Sequence, residues 1–172
     1  MLGQVTDAGF DHLTLPDAAN PCDFASGPKK SAGAAPDSMR RGLTSEPLFP
    51  TKVLIVEDEA LVALDICDFL SEAGYEVVGL VATEQDAVRK ARDLRPDLII
   101  MDLKLKDGGD GFGASRKINT SKNIPILYIT AYRNTKTLER LNEQSSSHIL
   151  FKPFARGPLL EAVEITVKRH RN

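Results

Sequence analysis

VLIVEDE, residues 53–59, sets four apolar residues directly before three acidic ones. The apolar part reads as a short buried strand, so Glu57, Asp58 and Glu59 stand at its carboxyl end. Four more short apolar runs come later in the chain: EVVGLV (76–81), DLIIM (97–101), IPILYI (124–129) and HILF (148–151). Longer stretches of helical period separate them. Continuous runs alternating with amphipathic segments are expected when parallel strands are covered by helices on both faces. The fold expected is therefore α/β, a doubly wound five-stranded parallel sheet.

The helices can be placed from the same periodicity. In the first, Val62, Ile66, Phe69 and Ala73 form an apolar stripe opposite Asp65, Asp68 and Glu72, and Gly74 is a good stop. Residues 84–94 carry Ala87, Val88, Ala91 and Leu94 on one side and end before Pro96. A third helix is expected over 111–119, although two early glycines weaken its pattern. A fourth has Leu138 and Leu141 among charged neighbours. The last is expected to start with Pro158 as its first residue, repeating Leu159, Leu160, Val163 and Val167.

The first 50 residues differ in kind. They hold six of the chain's 10 prolines (16, 21, 28, 36, 47 and 50) and only scattered apolar residues. Such a composition cannot offset ordering entropy by burial, so residues 1–50 are expected to be a disordered extension and 51–172 the folded domain. Met39 stands nearer the domain than Met1 and is an alternative start.

Across all 172 residues the formal charge is −2, which gives no basic field for nucleic acid or an anionic membrane. No apolar run approaches the roughly 20 residues that span a bilayer, and no basic region and apolar segment mark a leader. A cytoplasmic location is the expectation. Cys22 and Cys67, with His12, His148 and His170, show no zinc-ligand spacing.

The polar residues that close the apolar runs carry the chemistry. The first run ends in Glu57 and Asp58, the third in Asp102, the fourth in Thr130 and the fifth in Lys152. In an open parallel sheet the carboxyl ends share one edge, where ligands bind, so these scattered residues converge. Three carboxylates in one cleft must keep protons at raised pKa or share a cation. Oxygen ligands without His or Cys select a hard ion such as Mg²⁺. Lys152 and Thr130 suit phosphoryl oxygens, as a positive charge and a hydroxyl donor.

With VLIVEDE, DLIIMDL, ILYITA and LFKPF in this order, the chain from 51 to 171 resembles the receiver domain of bacterial two-component response regulators. The resemblance implies strand order 2-1-3-4-5 and a phosphoacceptor at Asp102, attacking a phosphohistidine of a sensor histidine kinase or phosphotransfer protein. It implies Mg²⁺ held by Asp58 and Asp102, by Glu57 through water and by the backbone carbonyl of Lys104. Lys152 would pair with the Asp102 carboxylate and then with the phosphoryl group, and Thr130 would move to bond the new phosphoryl oxygens. Output would pass to a downstream protein through the fourth helix, fifth strand and fifth helix, or onward in a phosphorelay. No output domain of its own is expected. The resemblance leaves open whether the domain forms a homodimer through its fourth and fifth helices.

Some positions depart from the family's pattern. Lys106 stands where many receivers have Pro, and KDGGDG (106–111) is about one residue longer than the common loop. Ile149 replaces the usual aromatic switch residue, leaving Phe151 and Tyr132 as candidates for that role. Lys152 before Pro153 carries an expectation of a cis peptide.

Two other functions compete. A phosphohydrolase with an Asp nucleophile, similar to the haloacid dehalogenase group, would need a second Asp two residues on, where this chain has Lys104. An enzyme is therefore not expected beyond self-phosphorylation and autodephosphorylation. A phosphorylation-independent binding module is the alternative, favoured only by Ile149.

Overall fold

The computed structural model describes residues 50–120, 123–131 and 148–171. Five parallel strands form one sheet: β1 (Lys52–Val56), β2 (Glu76–Val81), β3 (Leu98–Asp102), β4 (Ile126–Thr130) and β5 (His148–Phe151). Their order is β2-β1-β3-β4-β5, as expected. β1, β3 and β4 lie inside the sheet. All five residues of β3 and of β4 are buried, which is why those runs carry no polar alternation.

Alternate side chains divide the core in two. Leu54, Val56, Ile99, Met101, Ile126 and Tyr128 face α2 (Glu84–Leu94) and α3 (Gly111–Asn119), meeting Ala87, Ala91, Phe112, Ala114 and Ile118. Val53, Ile55, Leu98, Ile100, Leu127 and Ile129 face α1 (Ala60–Glu72) and the last described helix, α4 (Arg156–Arg171), meeting Ile66, Leu70, Leu159 and Val163. At about 25 cal/mol per Å² of apolar surface removed from water, this double burial is the main driving force of the fold. Arg156 pairs with Glu72 at the solvent edge and joins α4 to α1.

Two helix expectations shift. In α1 the fully covered stripe is Ala63, Ile66, Cys67 and Leu70, while Val62 and Phe69 are half-buried and Ala73 is the exposed C-cap. Both stripes obey i, i+3, i+4 spacing within one apolar run, and only the sheet beneath selects between them. Gly74 does follow the helix at φ 87°, the left-handed conformation that suits glycine. α4 begins at Arg156, two residues before Pro158. Pro158 then falls in the first turn, where its missing N–H costs no helical bond.

α2 and α3 have the expected bounds. Thr83 caps α2 by accepting from the Asp86 N–H at 3.2 Å, and Asp110 caps α3 by accepting from the Phe112 N–H at 3.1 Å. The Asp110 cap supports α3 despite its glycines. The Lys152–Pro153 peptide is cis, as expected. The expectations for residues 1–49, for the fourth helix around Leu138 and Leu141, and for Tyr132 lie outside the described residues. Among the described residues no helix is long and apolar enough to cross a membrane.

Candidate phosphoryl and metal site

The carboxyl ends of β1, β3 and β4 and the residue after β5 meet at one edge. Asp102 ends β3 and is 6 % exposed, and Glu57 directly after β1 is 4 % exposed. Thr130 ends β4, fully buried, and its carbonyl accepts from the Lys152 N–H at 2.8 Å. That bond fixes where the Lys152 side chain starts. Its Nζ then donates to Asp102 Oδ2 at 2.7 Å, to Glu57 Oε1 at 3.0 Å and to Glu59 Oε1 at 3.1 Å. Three N–H protons thus meet three carboxylates, and the ammonium has no bond left to offer.

The backbone orders the carboxylates as well. Lys104 N–H donates to Asp102 Oδ1 at 3.1 Å, leaving Oδ2 for Lys152. Glu59 N–H donates to Glu57 Oε1 at 3.1 Å. Burial pushes the Glu57 carboxyl up to about 7; the Lys152 hydrogen bond pulls the other way, and the Asp102 charge adds to the rise. Burial also works against the Lys152 charge, but hydrogen bonds to Asp102 and Glu57 outweigh it and hold the ammonium above its ordinary range. The group therefore carries more acid than base, and without a divalent ion a proton makes up part of the difference.

Carboxylate oxygens of Glu57, Glu59 and Asp102 lie within 4.8 Å of one another, a spacing that could hold a metal ion. Glu57 Oε2 has room for a further partner. It is buried and lies 2.8 Å from Lys152 Nζ, yet no aligned hydrogen bond reaches it. A cation would satisfy that lone pair, and an all-oxygen donor set fits Mg²⁺.

Of the residues singled out from sequence, Glu57, Asp102 and Lys152 are in direct contact, and Thr130 adjoins them through the Lys152 backbone. Asp58 is exposed and is not one of the three clustered carboxylates. The Lys104 side chain is exposed, and it is the Lys104 backbone that touches Asp102. Glu59 is the residue that sequence reasoning missed. The three-acid run was its one signal, because nothing local tells which of three consecutive acids reaches Lys152.

The loop after β3 closes against the site. Lys104 and Asp110 form an isolated antiparallel bridge, Leu105 N–H donates to Gly109 O at 3.1 Å, and Lys106–Gly108 make one 3₁₀ turn with Gly108 at φ 74°. Gly111 lies so near β3 that a Cβ there would stand 2.2 Å from Asp102 O. Ile149 packs half-buried against the core on the α2 and α3 face.

Residues 53–164 match the family described as response regulator receiver domain. The transcriptional regulatory protein PdtaR of Mycobacterium tuberculosis is 39 % identical over 122 residues, covering 71 % of this chain and 59 % of that protein. The phyllosphere-induced regulator PhyR of Methylorubrum extorquens is 37 % identical over 83 residues, 48 % of this chain and 31 % of PhyR. The chain thus spans less than two thirds of either relative. Among solved structures, the signal receiver domain of a modulated diguanylate cyclase from Desulfovibrio desulfuricans aligns with a TM-score of 0.65 at 32 % identity, over 71 % of this chain and 97 % of that one. With the sheet order, the clustered carboxylates and the lysine already in place, these matches make the chain a member of the response regulator receiver domain family.

Proposed function

We propose that the chain is a cytoplasmic phosphorylation-dependent switch in which Asp102 accepts a phosphoryl group from a sensor histidine kinase or a phosphotransfer protein. The observation that carries this reading is the Asp102 carboxylate, 6 % exposed at the end of a central strand and held by Lys152 at 2.7 Å. Burying a carboxylate there is costly unless it is paired, and a stability role alone would be met by an apolar residue.

In the transfer, an Asp102 carboxylate oxygen attacks phosphorus, the bond from phosphorus to the histidine nitrogen breaks, and that nitrogen leaves with the bonding electron pair. An acyl phosphate results. Lys152, already bonded to Asp102 Oδ2, would follow the charge onto the phosphoryl oxygens, and the Thr130 hydroxyl would donate to them. Mg²⁺, when bound, would neutralise phosphoryl charge, with Asp102, Asp58, Glu57 and the Lys104 carbonyl as its holders and Glu59 within reach. Because such transfers pass through a loose transition state, positioning and charge are most of what the protein contributes. The phosphoryl group would then change the affinity of the surface around β5 and α4 for a downstream protein.

The test is intact mass after incubating the full chain with a small acyl-phosphate donor and Mg²⁺. A gain of one phosphoryl group that needs Mg²⁺ and is lost in Asp102→Asn is the expected result. No gain from this donor or from candidate kinases would overturn the reading in favour of a module that binds without phosphorylation.

A further inference from the structure

Glu84 is the first residue of α2, lies 18 residues before Asp102 in sequence, and belongs to none of the motifs that mark the site. Its two carboxylate oxygens are nevertheless both engaged with the segment after Asp102. Oε2 accepts from the Asp110 N–H at 3.3 Å, and Oε1 accepts from Lys117 Nζ at 2.7 Å. The Lys117 bond first, and then that of Asp110, hold the Glu84 carboxyl below its ordinary range.

The surroundings are shaped for this side chain. A Cβ on Gly113 would stand 3.3 Å from Glu84 Oε1, a tight contact, so that glycine leaves room that the Glu84 carboxylate uses. A second tie runs beside it, from Lys106 N–H to Ala82 O at 3.1 Å. Together they strap the loop after β3 to the corner between β2 and α2.

From Asp110 the path to the acceptor is short. Asp110 bridges Lys104 across the loop, and Lys104 N–H holds Asp102 Oδ1 at 3.1 Å. Asp110 also caps α3, whose Gly111 N–H donates to Leu103 O at 3.0 Å. A loop held at one end by β3 and at the other by α3 still has freedom in between, and a hydrogen bond to a charged group removes more of it than a neutral one. We propose that Glu84 is a positioning residue: by holding the Asp110 backbone it sets the Lys104 peptide, and through it the Asp102 carboxylate and the carbonyl expected to face Mg²⁺. This deepens the phosphoacceptor reading and rests on it.

The experiment compares the full-length chain with Glu84→Ala, Glu84→Gln and Lys117→Met. Three quantities are read: amide exchange of the 103–111 segment, Mg²⁺ affinity by calorimetry, and the rate of phosphoryl gain from a small acyl-phosphate donor. Glu84→Ala should raise exchange at Lys104 and Asp110 at least fivefold, weaken Mg²⁺ several-fold and slow phosphoryl gain by a similar factor, with the thermal midpoint little changed. Glu84→Gln keeps an oxygen for the Asp110 N–H but gives up the charge, so it should recover part of each effect. Lys117→Met, which spares that bond, should fall between. Exchange and Mg²⁺ affinity in Glu84→Ala within twofold of the unsubstituted chain would overturn the proposal. So would equal losses in Glu84→Ala and Glu84→Gln, because the hydrogen bond would then not be the cause. If the unsubstituted chain neither binds Mg²⁺ nor gains a phosphoryl group, the phosphoacceptor reading fails, and amide exchange alone still decides whether Glu84 holds the loop.

Discussion

Lys152 Nζ lies 2.7 Å from Asp102 Oδ2, joining two residues 50 apart in sequence that sit at the ends of β3 and β5. The same nitrogen bonds Glu57 and Glu59, so one cation serves three acids. Removing that cation should therefore be felt by all three acids.

Replacing Lys152 by Met would leave Asp102 and Glu57 buried without their counter-charge. Breaking a buried pair by removing one member costs about 3–5 kcal/mol when no proton can step in. Here Glu57 can take one, so a loss of about 2 kcal/mol is expected at pH 8, and less at pH 5. Urea unfolding at both values measures it. An equal loss at both would show that the lysine stem, rather than its charge, stabilises the fold.

Gly111→Ala asks whether the close approach of α3 to β3 matters. A Cβ 2.2 Å from Asp102 O cannot be accommodated without backbone movement. Overpacking of this sort costs roughly 1–3 kcal/mol, and phosphoryl gain should fall with it. Gly157→Ala is the contrast. Nothing lies within 4 Å of a Cβ at Gly157 in α4, so that change should stabilise, by up to about 1 kcal/mol. Should the two variants unfold at the same urea concentration, the crowding at Gly111 is relieved by a shift that the fold tolerates.

Such contrasts also separate what the chain reveals locally from what it hides. Asp102 and Lys152 were legible because each directly ends an apolar run, and parallel strands bring those ends together whatever the helices do. The Gly74 stop and the bounds of α2 were legible because caps and prolines act within a turn. The α1 stripe was not, since Ala63–Leu70 and Val62–Ala73 are both helical patterns and only the sheet chooses. Glu59 was hidden among equals. Glu84 was hidden by distance: its partners Asp110 and Lys117 are 26 and 33 residues away, and its role depends on a loop whose path no periodicity encodes.

Glu59 differs from Glu57 in burial, and that difference predicts their substitutions. The Glu59 side chain is 66 % exposed where it meets Lys152, whereas that of Glu57 is 0 % exposed. An exposed pair contributes little, so Glu59→Gln should change unfolding free energy by no more than about 0.5 kcal/mol at low salt. A larger loss would mean that Glu59 holds Lys152 in place rather than merely accompanying it.

Glu57 should instead make stability depend on pH. Its carboxyl titrates near 7 in the fold, above the ordinary 4.5 expected once the chain unfolds. Between those values the folded chain keeps a proton that the unfolded chain has released, so protons favour the fold there. Stability from this group is thus greatest below the unfolded value and declines as pH rises toward the folded one, flattening beyond it. Glu57→Gln is neutral throughout and should remove that slope, whereas Glu59→Gln should keep it. Urea midpoints at pH 5, 6, 7 and 8, taken with a chelator present, make the comparison. A slope that survives unchanged in Glu57→Gln would place the proton on another group, and the burial of Glu57 would then need a compensation other than its own protonation.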